Sequence, residues 1–178
     1  MDTYVGFRSN LNTDSETLTA WHEAGHAVIG FALGGRIESV SLGGEANDWL
    51  PDRFGDCIVN WGPVDKACGW QRQREIMTVL AGPVAEMIYR DETLHPAVFP
   101  PWKQDWEMAL TLAEPFLADL QKRTAWLESV MAELYRRMNH ESCWAAIGAV
   151  ADELLTHESL EEEQLEATIG FWLRHGQS

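Results

Sequence analysis

The pattern of hydrophobic and polar positions along the chain begins with a helical period over residues 13 to 33. The positions that recur there at spacings of three or four are Leu18, Trp21, Gly25, Val28 and Ala32. This is the period of one face of an α-helix. A capping box of Thr13 and Glu16 is predicted to start the helix, and Gly34 with Gly35 to end it.

Two segments with the character of strands follow this helix. In the segment RIESVSLGG, from Arg36, alternate residues form two sets, as on the two faces of a β-strand. One set is Ile37, Ser39 and Ser41, and the other is Glu38, Val40 and Leu42. The segment GDCIVNW contains β-branched residues and is bounded by Gly55 and Pro63. We therefore expect a small mixed sheet within residues 36 to 61, with one strand at an edge.

The remainder of the chain is predicted to be mainly helical. Residues 71 to 89 follow a helical period, and Pro83 is expected to kink that helix or to begin a new one. The proline-rich segment HPAVFPPWK, from His95, is predicted to be a loop that borders the functional site. The remaining predicted helices span residues 105–120, 122–138, 143–155 and 159–173, the last opened by a capping box of Ser159 and Glu162.

These elements predict an α+β fold that is mainly helical, with a small mixed sheet beside the first helix and a C-terminal helical bundle. There is no internal repeat and no low-complexity linker in the sequence. A length of 178 residues suits one domain with a sizeable core. We therefore treat residues 1 to 178 as a single domain.

The net charge of the chain argues against nucleic acid as a partner. The formal net charge is −15, and the sequence contains no cluster of Lys and Arg. A protein that binds phosphate backbones needs such a cluster to displace counterions. We therefore expect no nucleic-acid partner.

The cysteines and the apolar segments bear on location. Cys57, Cys68 and Cys143 are odd in number and widely spaced, which favours a reducing compartment over a disulfide framework. No apolar stretch approaches 18 residues, and the N-terminus lacks the basic start and apolar run of a signal peptide. The sequence thus predicts a cytoplasmic protein without a membrane span.

The strongest chemical signal is the segment WHEAGHAVIG in the first predicted helix. His22 and His26 are four residues apart, so both imidazoles project from one face and can bind a single zinc ion. Glu23 lies beside them and can accept a proton from a water molecule that the metal acidifies to a pKa of about 7. The small residues Ala24 and Gly25 leave room for close packing and for a bound peptide. The segment therefore predicts two metal ligands and a general base.

A catalytic zinc site needs a third protein ligand and an open position. The extended zinc motif with a glycine and a third histidine fails, because Ile29 and Ala32 occupy those two places. The carboxylate and imidazole candidates further along are Glu45, Glu75, Glu86, His95 and Asp105. Residue chemistry alone does not separate them, and an Asp at a helix start, such as Asp105, usually serves as a cap.

Four segments in order, HEAGHAVIG, AGPVAEMIY, QDWEMALTLA and ADELLTHESLEEEQL, resemble the peptidase domain of the FtsH family of ATP-dependent zinc proteases. In that family an Asp-x-x-x-Ala segment completes the zinc site, which implies Asp105, followed by Ala109, as the third ligand. The resemblance leaves Glu86 as the runner-up ligand or as a residue that orients a histidine. Residues 1 to 118 would then be the metal-binding half, and residues 119 to 178 a helical C-terminal part.

The chain also departs from that family. It has no Walker-type nucleotide-binding sequence and no membrane anchor, so we expect ATP-independent hydrolysis. Its substrates would be peptides or unfolded segments, unless a separate ATPase delivers folded proteins. The family assembles as hexameric rings, and oligomer formation stays open for this chain. Pro83 and the WKQ segment before Asp105 also differ from the family pattern.

Two functions of different classes fit these residues. The first is a zinc-dependent metalloendopeptidase in which Glu23 activates water. The second is a non-catalytic adaptor that keeps the fold and uses its groove to hold a partner. The intact Glu23 favours the first.

Overall fold

Six helices and three strands form the part of the chain that the computed structural model describes, residues 6 to 43 and 55 to 175, with side chains from residue 15 onward. The helices are α1 Gly6–Ala32, α2 Gly69–Arg90, α3 Lys103–Ala113, α4 Leu120–Met138, α5 Glu141–His157 and α6 Glu162–His175. The strands are β1 Arg36–Leu42, β2 Gly55–Asn60 and β3 Ser159–Glu161, and a short 3-10 helix, Pro100–Trp102, leads into α3. The predicted class, α+β and mainly helical, is confirmed.

The sheet has the order β2-β1-β3, with β1 in the middle. Both strand pairs are antiparallel, with Val40 of β1 opposite Cys57 of β2 and Leu160 of β3, whereas a mixed sheet was predicted. Glu158, with a φ of 63°, ends α5 in the left-handed conformation immediately before β3 begins. Among the described strands β2 pairs only with β1, so its outer edge has no strand partner.

The predicted helix over residues 159–173 begins later than expected. Ser159–Glu161 pairs with β1 as β3, and α6 starts at Glu162. The backbone N–H of Glu161 donates to Oε1 of Gln164, so this pair fills the capping role that Ser159 and Glu162 were predicted to fill. A strand of three residues is too short to show a period of its own, and here tertiary pairing outweighed the local pattern.

Two other helix boundaries differ from the prediction, and at Pro83 one of the two predicted alternatives is settled. α1 begins at Gly6 and not at residue 13, so the backbone of Thr13 lies inside a helix, and the predicted capping contact of its side chain lies outside the described residues. α3 ends at Ala113 and not at residue 120, because Pro115 has no backbone N–H with which to continue the helical hydrogen bonds. α2 runs unbroken through Pro83, so that proline begins no new helix.

One hydrophobic core joins the sheet to the helices of both halves of the chain. Its members on α1 include Ala24, Ala27, Val28 and Ile29, all 0% exposed. α1 packs against α2, α5 and the sheet, and α4 packs against α2. The C-terminal helices therefore share the core that holds α1. The division into residues 1 to 118 and 119 to 178 stays a prediction.

α1 and α2 approach each other very closely beside the histidines. A Cβ at Gly25 of α1 would lie 2.6 Å from Ala85 Cβ and 2.7 Å from the backbone oxygen of Ala81, both on α2. Only glycine permits this separation. The prediction that Gly25 serves close packing is thus confirmed. No helix within the described ranges is long and apolar enough to cross a membrane.

Candidate metal centre

The two histidines of the predicted motif lie one turn apart on α1, as their spacing requires. The centroids of the His22 and His26 rings are 4.8 Å apart, and the planes are nearly perpendicular. Their side chains are 11% and 12% exposed. Both Nε2 atoms point toward Gly82 of α2, since a Cβ on Gly82 would collide with them. The missing side chain of Gly82 therefore leaves the space in front of the two nitrogens open.

Asp105 enters this space from the first turn of α3. Its Oδ2 lies 3.0 Å from His22 Nε2, and its Oδ1 lies 3.8 Å from His26 Nε2. The three candidate ligand atoms all lie within 4.8 Å of one another. The N-cap of α3 is Trp102, without a side-chain cap, so Asp105 does not have the capping role that is usual at a helix start.

These three residues fit a zinc ion in number, type and spacing. Zinc lies about 2.0 to 2.2 Å from nitrogen and oxygen ligands, which places two tetrahedral ligand atoms roughly 3.3 Å apart. The observed separations of 3.0 and 3.8 Å lie on either side of that value. Two imidazoles and one carboxylate are a donor set typical of catalytic zinc, and they leave one position open.

Hydrogen bonds behind the rings fix their orientation. His26 Nδ1 lies 2.7 Å from the backbone oxygen of Thr78, an acceptor only, so Nδ1 carries the proton and Nε2 has a lone pair. His22 Nδ1 lies 3.3 Å from Oε2 of Glu86. Both histidines therefore present Nε2 toward Asp105, as metal-binding histidines held by an acceptor do.

The charges around the rings favour a cation. Burial lowers the pKa of His22, but hydrogen bonds to Asp105 and Glu86 and the charges of Asp105 and Glu23 together raise it to about 10. For Asp105, burial raises the pKa, while the hydrogen bond and charge of His22 outweigh it and hold the pKa below its usual value. Carboxylates that attract a proton to His22 attract a metal cation to the same place.

Glu23 lies beside the histidines and is 6% exposed. Burial raises its pKa above the usual value, and this effect outweighs the lowering by His26 and His22. Gly55 of β2 packs against its carboxyl group, since a Cβ there would lie 2.6 Å from Glu23 Oε1. The carboxyl group is thus held in a poorly hydrated position next to the candidate ligands.

A cleft of about 490 Å³ opens over these groups. α1 and α2 form its floor, β2 forms one wall and α3 the other. Gly55 to Cys57 and Val59 line it from the strand, Met108 and Leu112 from α3, and Trp61 closes part of it. β2 therefore runs beside Glu23, His22, His26 and Asp105.

The other described candidate ligands do not belong to the group formed by His22, His26 and Asp105. Glu75 also lines the cleft, but its carboxylate is paired with Arg72 Nη1 at 2.7 Å. His95 contacts the Glu128 carboxylate at 3.2 Å and the edge of the Trp106 ring. Glu45 lies outside the described residues. Glu86 is 0% exposed and stands behind His22, where it orients the ring.

Sequence reasoning missed three contributors to this site. They are Gly82, whose missing side chain makes room for the ligands, Thr78, which orients His26, and Trp102, whose indole N–H donates to Glu86 Oε2 at 2.7 Å. A backbone acceptor leaves no signal in residue types. The contact between Trp102 and Glu86 depends on how the segment before α3 packs against α2, which the sequence does not reveal.

No protein-family model matches this sequence, and no curated protein matches it significantly. The function is therefore inferred from the geometry of the centre and from the motifs that carry the FtsH-like resemblance.

Proposed function

We propose that this chain is a zinc-dependent metalloendopeptidase in which His22, His26 and Asp105 hold the metal and Glu23 moves the proton. One observation carries the proposal. Residues from α1 and α3, far apart in sequence, converge with zinc-compatible spacing at the base of a cleft, beside a buried carboxyl group. A structural histidine pair has no need of an open cleft or of a flanking buried glutamate.

The chemistry is divided between metal and protein. When bound, zinc polarises the scissile carbonyl group and makes water a better nucleophile at neutral pH. Glu23 accepts the proton of the attacking water and passes it to the departing amine, as a general base and then a general acid. Its raised pKa, caused first by burial, suits a group that must both hold and release a proton during the reaction.

The substrate is a peptide or an unfolded protein segment. An extended chain can pair with the outer edge of β2, and backbone hydrogen bonds then supply affinity without regard to sequence. Gly55 has no side chain to separate such a backbone from Glu23. The scissile carbonyl group would lie over His22, His26 and Asp105, in the position that the three ligands leave open.

Within the same proposal, the chain is an FtsH-like peptidase domain that works independently of ATP or receives folded substrates from a separate ATPase. The cytoplasm is its proposed location. It suits the free thiols of Cys57, Cys68 and Cys143, which lie among the described residues. Assembly into an oligomer belongs to the proposal as an open question that sedimentation of the purified protein answers.

The test combines metal analysis with peptide cleavage for wild type, Glu23→Gln and the control Glu107→Gln. Glu107 is an exposed glutamate on α3 that pairs with Lys103. We expect all three proteins to carry about one zinc ion, and only Glu23→Gln to lose cleavage. Zinc without cleavage by the wild type would favour the adaptor function, and absence of bound metal would overturn the proposal.

A further inference from the structure

Trp102 joins the elements that supply the proposed ligands. It lies in the 3-10 helix that leads into α3, three residues before Asp105, and its side chain is fully buried. Its indole N–H donates to Oε2 of Glu86 on α2, at 2.7 Å. The same oxygen lies 3.3 Å from Nδ1 of His22 on α1. One carboxylate oxygen thus connects the segment before Asp105 to the ring of His22.

A closed set of contacts supports this connection. Arg90 Nη1 reaches the other oxygen of Glu86 at 3.5 Å. The guanidinium group of Arg90 lies 5.2 Å from the centre of the Phe99 ring, and Phe99 packs edge-to-face on Trp102 with ring centroids 4.5 Å apart. The segment before α3 is therefore fastened to the C-terminal half of α2, against the residue that orients His22.

We propose that Trp102 is a positioning residue for the metal centre and that it acts through Glu86. The inference rests on the proposed function, since the metal is the group being positioned. The indole N–H fixes the Glu86 carboxylate so that Oε2 faces His22 Nδ1. In the same contact it fixes where α3 begins, and thus how far Asp105 stands from the two histidines. His22 and Asp105 then keep their relative position without a metal to hold them.

A purely structural role predicts something different. Trp102 would then matter only for the volume of its buried ring, and the N–H would find Glu86 merely because both are buried. Trp106 offers a matched comparison. It is also buried, at 4% exposure, and lies four residues further along the chain, where its ring packs against His95. Replacing either tryptophan by phenylalanine removes similar ring area, while only one replacement removes the donor to Glu86.

The experiment measures zinc affinity by chelator competition for wild type, Trp102→Phe and Trp106→Phe, with the visible spectrum of the cobalt-substituted proteins as a second readout. Residues that orient a metal-binding histidine typically change affinity by about 10- to 100-fold when mutated. We expect Trp102→Phe to weaken zinc binding at least about 10-fold and to alter the cobalt bands. Trp106→Phe is expected to change both readouts little at a comparable loss of thermal stability.

A second comparison tests whether Trp102 acts through Glu86. In a Glu86→Ala background, adding Trp102→Phe is expected to weaken zinc binding by less than twofold further, because the shared partner is already gone. Should Glu86→Ala fail to fold, the comparison of the two single tryptophan variants decides alone. Equal zinc affinities for Trp102→Phe and Trp106→Phe would overturn the inference while wild-type zinc binding still stood. A wild-type protein that binds no zinc would instead overturn the proposed function.

Discussion

At the scale of single residues, the centre is built from groups whose usual properties are changed by their neighbours. His22 and Asp105 each shift the pKa of the other in the direction that keeps both charged. The pKa of Glu23 is raised, opposite to that of Asp105, because burial outweighs the charges of the two histidines there. The surroundings thus favour the charged forms of His22 and Asp105, which are proposed to hold a cation, and the neutral form of Glu23, which is proposed to move protons. All three residues lie around one cleft.

The first prediction compares the two carboxylates beside His22. Asp105→Ala removes a proposed ligand, whereas Glu86→Ala removes a group that only orients one. We expect Glu86→Ala to weaken zinc binding by about 10- to 100-fold and Asp105→Ala by more than about 100-fold. Zinc content after dialysis and chelator competition measure both. Asp152→Ala, at an exposed position on α5, is the control, and equal zinc binding by wild type and Asp105→Ala would contradict the ligand assignment.

The second prediction concerns the pH dependence of stability in protein stripped of metal by a chelator. The pKa of His22 is about 10 in the fold and 6.5 as the ordinary value. The protonated ring therefore stabilises the fold fully below pH 6.5, and that contribution is lost as the pH rises toward 10. The free energy of unfolding is expected to fall by up to about 1.4 kcal/mol per pH unit across this range.

Urea unfolding between pH 6.5 and 8.5 tests this before ordinary thiols titrate, near a pKa of about 8.5. His22→Gln serves as the control, because it cannot bind the extra proton and its stability should change less with pH. Saturating zinc should also abolish the loss, since the metal takes the place of the proton. Parallel pH profiles for wild type and His22→Gln would show that the ring does not carry the raised pKa.

At the scale of secondary-structure elements, much of the architecture could be predicted and its boundaries could not. The helical period around Leu18 and Val28 and the β-branched stretch near Ile58 are long enough to fix the type of element. β3 could not be found, because its three residues form a strand only when β1 is alongside. The end of α3 could have been predicted from Pro115, because the missing backbone N–H of a proline interrupts a helix locally.

In the candidate site, the residues that form a local pattern could be predicted, and those that depend on packing could not. The spacing of His22 and His26 follows from helix geometry alone, so a local pattern reveals it. Asp105 was singled out by the family-like motif and not by its chemistry, because its distance from the histidines depends on how α3 packs against α2. Thr78 acts through a backbone oxygen, which no residue type reveals, and the role of Gly82 depends on the two histidines that pack against it.

The third prediction concerns a substitution at the contact between α1 and α2. Gly82→Ala places a methyl group against the Nε2 atoms of His22 and His26. Imidazole rings can turn aside more cheaply than backbone can move, so metal affinity should suffer more than stability. We expect zinc affinity to fall by at least about 10-fold, in the range seen when the surroundings of a metal ligand are disturbed.

Gly69→Ala is the matched control for that variant, because it lies on the same helix and a Cβ there meets nothing within 4 Å. Gly25→Ala provides the contrasting case, since its Cβ would meet the backbone oxygen of Ala81 at 2.7 Å. It should lower the free energy of unfolding by about 1 to 3 kcal/mol. Zinc affinity in Gly82→Ala equal to that in Gly69→Ala would show that the close approach of α2 does not shape the centre.

At the scale of the whole molecule, the proposed ligands lie at the base of a cleft and are largely enclosed. His22 and His26 have side chains only 11% and 12% exposed, and the cleft above them holds about 490 Å³. A folded domain is far larger than this space, whereas one extended chain along β2 fits beside it. Under the proposed function, a substrate would therefore have to unfold locally to reach the centre.

The last prediction follows from that enclosure. Cleavage of a small two-state domain should depend on how often the domain unfolds, since only the open form reaches the centre. For a series of variants that share one cleavage sequence, each loss of about 1.4 kcal/mol in stability should raise the cleavage rate about tenfold, up to the rate for an unstructured peptide. Gel assays with purified protein and zinc measure these rates, with Glu23→Gln as the blank for contaminating proteases. Rates that stayed equal across the series would mean that folded segments enter the cleft, and the enclosed geometry would then have to open during catalysis.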